Sequence, residues 1–163
     1  LLGDDVTMDG CVDIHFAARF VERPTLTIGD RTGIGHTCCF TVGKSITVGN
    51  DCRIAGGVWI FDSNGHPTDP EARRRGDTVS TDEVKPVVIE DNVWIGRGSI
   101  VHPGVRIGRD SIVSAGSVVM SDVPPGTVVA GNPARKIAGV GGPPAKPAAA
   151  ADATNGQRAR AQA

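Results

Sequence analysis

The chain has 163 residues and a net charge of −1, which leaves no electrostatic footprint for nucleic acid or a membrane surface. Two Trp, four Phe and no Tyr stand against 22 Gly, a balance that excludes a broad core filled with rings and suits a narrow solenoid. No apolar run is long enough to span a bilayer, and the amino terminus lacks the charged-then-apolar pattern of a secretory signal, so a cytoplasmic protein is expected.

Residues 1 to 27 carry only a loose apolar pattern, with candidates at Val6, Val12 and Ile14 and a turn near Pro24, and read as an irregular first coil. From Ile28 the period sharpens. Ile28, Ile34 and Phe40 lie six apart, and after an extra pair within FTVGKSIT, predicted to bulge at a corner, Val48, Ile54 and Ile60 resume the register. Residues 62 to 87 are polar, rich in Asp, Pro and Arg, and contain no inward-facing series; they read as an extruded, structureless loop of the kind that carries function. The register then returns in full at Ile89, Ile95, Val101, Ile107, Val113 and Val119. Paired prolines at 124 and 125 break it, and Val128 to Ala130 is placed as a cap. The folded domain is therefore drawn over residues 1–140. The Ala- and Pro-rich segment 141–163 is expected to be disordered.

A six-residue period fits neither a helix nor a hairpin ladder. It suits a short flat strand followed by a tight corner, three sides to a triangular coil, with coils stacked at strand spacing of roughly 4.8 Å around a column of aliphatic side chains. Four residues after each apolar position comes a small or β-branched one: Val93, Ser99, Val105, Ser111, Ser117 and Val123. Gly96 and Gly108 follow the apolar residue directly and read as tolerating the strained turn. Cys38 and Cys52 take the small-residue position, and all four cysteines, with Cys11 and Cys39, read as small buried hydrophobes without metal-type spacing.

With this repeat on the page, the sequence resembles the hexapeptide-repeat acyltransferases, whose fold is the left-handed parallel β-helix. The resemblance covers roughly residues 26 to 137. Its motifs are Asn64-Gly65-His66-Pro67 followed by Asp69-Pro70-Glu71-Ala72-Arg73-Arg74, with Asn92-Val93-Trp94-Ile95-Gly96 downstream. It is similar to the maltose, galactoside and polysaccharide O-acetyltransferases, and the handedness comes from this likeness, not from the period.

The resemblance implies acetyl-coenzyme A as co-substrate, an acceptor that is a small molecule or glycan, and a homotrimer with sites between subunits. His66 is then the general base, since an imidazole titrates near neutrality and accepts a hydroxyl proton. Backbone N–H groups near its turn become the oxyanion donors. Trp94 and Gly96, with the small residue Ala115, line the pantetheine arm, while Arg135 and Lys136 meet the coenzyme phosphates. Asp62 and Asn64 are candidates for the acceptor side, Asp62 also for orienting the imidazole. Arg73, Arg74 and Arg75 read as a solvated face, and His15, His36 and His102 as surface or corner residues without partners. Where galactoside-type enzymes hold an acceptor-binding Asn this chain has Gly35, flanked by His36, so the acceptor pocket differs.

Two other classes are compatible with the same repeat. Zinc-dependent hydration on the same fold needs a second histidine a few residues from the first, but the next after His66 is His102, so no metal is expected. A non-catalytic trimeric scaffold predicts no coenzyme binding. Within acyl transfer, an antibiotic or amine acceptor is the alternative to a sugar.

Overall fold

The computed structural model describes residues 1–141; all but the first residue of the segment assigned to the tail lies outside the described residues. Short strands β1 (Thr7–Met8), β2 (Asp13–Phe16) and β3 (Thr25–Ile28) form the first coil, and β4 (Gly33–Ile34), β5 (Cys39–Val42) and β6 (Ser45–Val48) the second. The third has β7 (Arg53–Ile54), β8 (Trp59–Phe61) and, beyond the extruded loop, β9 (Val87–Ile89). Next come β10 (Trp94–Ile95), β11 (Ile100–Val101) and β12 (Arg106–Ile107), then β13 (Ile112–Val113) and β14 (Val118–Val119), with Val123 bridging to Ile107 in place of a third strand. Each strand pairs in parallel with its counterpart one coil away, giving a seven-stranded, a five-stranded and a four-stranded sheet as the three faces of a prism. The exception is the last pair. There β15 (Thr127–Gly131) and β16 (Ala134–Gly139) fold back antiparallel and close the stack.

The hexapeptide register becomes the core. Ile34, Ile54, Ile95 and Val113 line one face, Phe40, Ile60, Val101 and Val119 the second, and Ile28, Val48, Ile89 and Ile107 the third, none more than 2 % exposed. Burying each such side chain is worth roughly 1.5–3 kcal/mol. The small positions turn inward too, and their polar atoms find corner carbonyls of neighbouring segments: Ser99 Oγ donates to Ser114 O (3.1 Å), Ser111 Oγ to Pro124 O (2.9 Å) and Ser117 Oγ to Ser114 O (2.6 Å). Cys38 and Cys52 do the same at 3.2 and 3.1 Å, and burial pushes both thiols up. Cys11 and Cys39 depart from the expectation of burial: Cys11 is exposed and Cys39 half-buried on an outer row.

Two sequence readings need correcting. The glycines directly after the apolar residue serve close packing rather than a strained dihedral: a Cβ on Gly96 would lie 2.5 Å from the Ala115 nitrogen, and one on Gly108 2.5 Å from that of Pro125. The left-handed backbone falls three residues after the apolar position, at Asn92 (φ 54°), Gly98 (φ 66°), Gly104 (φ 80°), Asp110 (φ 60°) and Gly116 (φ 70°). The extra pair in FTVGKSIT does not bulge. It lengthens β5 and β6 to four residues each, so that Val42 and Ile46 join the core on either side of a turn at Gly43 and Lys44.

Candidate active site

The loop leaves the five-stranded sheet at Phe61 and rejoins the four-stranded one at Val87. Its first residue, Asp62, is wholly buried. One carboxylate oxygen accepts from Gly43 N (2.6 Å) and the other from Lys44 N (2.7 Å) and Ser45 N (2.8 Å), while its own carbonyl accepts from Lys85 N (2.8 Å). Both oxygens are thus committed to the turn between β5 and β6, and Asp62 has no oxygen edge turned toward an imidazole or an acceptor. The acceptor and orienting roles assigned to it give way to a structural one: it ties the root of the loop to the preceding coil.

Beyond Asp62 the backbone turns through Ser63, whose Oγ accepts from Gly65 N at 3.2 Å, and presents His66 to solvent. The loop is not structureless. A helix α1 (Pro70–Arg75) starts on Asp69, whose carboxylate accepts from Ala72 N at 2.7 Å, and ends on Gly76 in the left-handed region. The arginine run divides by role. Arg73 donates to the carbonyls of Pro67 (2.9 Å) and Thr68 (2.5 Å), bracing the segment just after His66, whereas Arg74 pairs with Glu71 and Arg75 with Asp77 on the surface. Glu83 accepts from Thr68 Oγ1 at 3.0 Å and from Ser80, and these bonds hold its carboxyl below the usual range. Buried Val79 and Val84 anchor the returning half. Asn64 stands at the mouth of a hollow of about 370 Å³ with Lys85 and His102. His102 has a partner after all, packing on Phe61 with ring centroids 5.0 Å apart, and burial pulls its pKa down.

On the seven-stranded face the outward row runs Thr7, Gly33, Arg53, Trp94, Ile112 and Val128. Trp94 is 53 % exposed and walls a groove of about 460 Å³ whose floor includes Gly96, Ser114 and Ala115. The closeness of Gly96 to Ala115 keeps this floor free of side-chain bulk. Arg135 and Lys136 sit on β16, the outermost strand of the same sheet, three strand steps or about 14 Å from β10. The structure therefore brings Trp94, Gly96, Ala115 and Arg135 onto one sheet, with Lys136 beside Arg135 but in register with inward Val129. His66 and Asn64 belong to a loop that springs from a different face.

Sequence reasoning missed a second surface indole, Trp59, 55 % exposed on the five-stranded sheet, whose outward setting follows from its place just before inward Ile60. It also read His36 as without a partner, whereas its Nε2 lies 3.5 Å from Arg97 Nη1 in a cavity beside Trp94. Those two are 61 residues apart, and only the coil stacking unites them.

Two family models match the chain: the bacterial transferase hexapeptide (six repeats) over residues 86–120 and the hexapeptide repeat of succinyl-transferase over residues 25–61. The galactoside O-acetyltransferase of Escherichia coli K12 is 36% identical over 125 residues, covering 77% of this chain and 53% of that protein. Among solved structures, a maltose O-acetyltransferase from Clostridium difficile 630 superposes with a TM-score of 0.71 at 31% identity, over 85% of this chain and 68% of the other. A hexapeptide-repeat acetyltransferase from Vibrio cholerae, complexed with acetyl-coenzyme A, gives 0.68 at 33% identity, over 84% and 72%. The winding is the left-handed one shared with these structures. The chain spans about half the length of the curated relatives it matches. No helix among the described residues is long and apolar enough to cross a membrane, and no group of His, Cys, Asp and Glu among them is set to hold a metal ion.

Proposed function

The chain belongs to the hexapeptide-repeat acetyltransferases, and from that membership we propose that it moves an acetyl group from acetyl-coenzyme A to a hydroxyl of a sugar or glycan. The observation that carries this reading is the groove under Trp94. An exposed indole beside a strip of backbone bared by Gly96 and Ala115, leading along one sheet to Arg135 and Lys136, has the sequence of surfaces that an extended pantetheine arm with a phosphorylated end requires.

In this mechanism His66 takes the proton from the acceptor hydroxyl as its oxygen attacks the thioester carbonyl. The tetrahedral oxyanion collapses, the carbon–sulfur bond breaks, and the coenzyme leaves as a thiol after recovering the proton from the imidazolium. No covalent enzyme intermediate is needed. Asn64, exposed two residues before His66, is the acceptor contact in this reading.

His66 and the Trp94 groove rise from different faces of one prism, so the reaction requires a second copy of the chain to bring an imidazole to each groove. We therefore propose a homotrimer with sites between subunits. Exposed Trp59 on the five-stranded sheet and Met120 just past the end of β14, near Asn64 of the His66 loop, supply apolar surface for that contact. A cytoplasmic setting fits the four free thiols among the described residues.

Calorimetric titration of coenzyme A tests the reading without any guess about the acceptor. Binding that weakens about tenfold, or 1.4 kcal/mol, in Trp94→Ala supports it; no binding to the folded protein would leave a non-catalytic scaffold.

A further inference from the structure

Trp94 stands between two hollows. The coenzyme groove lies toward Ile112, a larger cavity of about 680 Å³ lies toward Arg53, and Trp94 lines both. An outward side chain on a parallel sheet is flanked by its row neighbours one strand step, about 4.8 Å, to either side. For Trp94 these neighbours are Ile112 and Arg53, yet the indole is 53 % exposed. On the Ile112 side the low floor at Gly96 and Ala115 leaves the groove open. On the other side the cause is Gly33. Arg53 Nη1 donates to the carbonyls of Arg31 (2.6 Å) and Cys52 (2.9 Å), which draws the side chain back over Gly33; a Cβ there would lie 3.7 Å from Arg53 Cδ and 4.0 Å from Nη1. A glycine inside a strand gives up side-chain packing and marks a close approach to the backbone. Here the approaching group is the folded-back arginine, and the flank of Trp94 that it would otherwise cover is bared.

The charges around the larger cavity balance. Arg31 is paired with Asp51, and Arg53 and Arg97 are matched in number by Asp5 and Asp9. Guanidinium groups donate to hydroxyls and carboxylates accept from them, so this lining suits an uncharged molecule rich in hydroxyl groups and gives an ion no net attraction. A sugar ring of that kind also has a C–H face, which fits the flat apolar side of an indole. We infer that Trp94 serves both substrates, with one side of the indole against the pantetheine arm and the other against the ring of an uncharged sugar acceptor. The inference rests on the acetyl-transfer reading for the coenzyme side and on the balanced cavity for the sugar side.

The test uses the whole chain carrying Trp59→Phe, which leaves Trp94 as the sole indole. Its fluorescence is titrated with coenzyme A and, separately, with maltose, lactose and N-acetylglucosamine. Coenzyme A and at least one sugar should each change the emission, and the sugar should still do so once coenzyme A has saturated. Ala115→Leu, which fills the groove alone, should weaken coenzyme A tenfold or more and spare the sugar. Gly33→Leu, which must lift Arg53 toward Trp94, should do the reverse. Trp94→Ala removes an exposed side chain and spares the core; read by calorimetry, it should weaken both ligands tenfold or more. Emission unmoved by all three sugars, or sugar binding that Trp94→Ala leaves unchanged, would overturn the inference while coenzyme binding stands. A response to sugar with none to coenzyme A would overturn the acetyl-transfer reading, and the shared role with it.

Discussion

Asp62→Asn should cost the protein about 3 kcal/mol of stability while leaving the coenzyme groove on the opposite sheet intact. The buried carboxylate accepts three backbone N–H bonds of 2.6–2.8 Å from consecutive residues of the turn at Gly43 to Ser45. Hydrogen bonds to a charged group contribute about 1.5–3 kcal/mol each. The amide keeps one acceptor oxygen and turns an NH2 against at least one N–H, so one or two bonds are lost and a buried donor is left facing a donor. With a urea dependence of roughly 2 kcal/mol per molar, the unfolding midpoint falls by about 1.5 M. Denaturation followed by circular dichroism reads the shift, and calorimetry with coenzyme A checks that the groove survives. A midpoint change below about 0.3 M would refute the assignment, since it would mean that the three bonds add nothing to the folded state. A large loss of turnover at unchanged stability would return Asp62 to the reaction.

His66→Ala is expected to reduce acetyl transfer by at least about a hundredfold with an unfolding midpoint unchanged within error, because its exposed side chain forms no hydrogen bond among the described residues; retained turnover would remove it from the mechanism. Gly96→Ala should destabilise by about 3 kcal/mol, because the new methyl meets backbone on the next coil. Gly98→Ala, with nothing within 4 Å but φ at 66°, should cost only about 1 kcal/mol; equal losses in thermal unfolding would contradict the division of labour between the two glycines. His102 supplies the pH dependence. Burial lowers its folded-state pKa, so the unfolded chain binds the proton more readily, and stability present above the ordinary value of 6.5 declines as the pH falls below it. His102→Gln should flatten that decline in melting temperature between neutrality and about pH 5; an unaltered slope would point to other groups.

Where a single period governs the backbone, the residues themselves disclose the fold. Ile89, Ile95, Val101 and their equivalents point inward because each sits at the same phase of a six-residue turn, and no long-range information is needed to see it. The loss of that phase marks a loop over residues 62–87, and the structure differs in returning Val87 to β9. What stayed hidden depends on contacts between coils. Asp62 looks like any turn aspartate until the stack brings residues 43 to 45 over it. Gly96 reads as a flexible turn residue, yet the constraint comes from Ala115 one coil later. His36 and Arg97 have no sequence relation at all. The reversal of β16 could not be read either, since Arg135 to Gly139 keeps no apolar period.

That reversal gives the prism two unlike ends. A parallel stack can in principle lengthen without limit, since every coil offers the next an unpaired edge of the same pattern. Here β16 turns its strand direction against the coils and places Arg135 and Lys136 on the outermost strand. Among the described residues, the seven-stranded face therefore offers an incoming copy no parallel edge at this end, and parallel continuation along that face stops there.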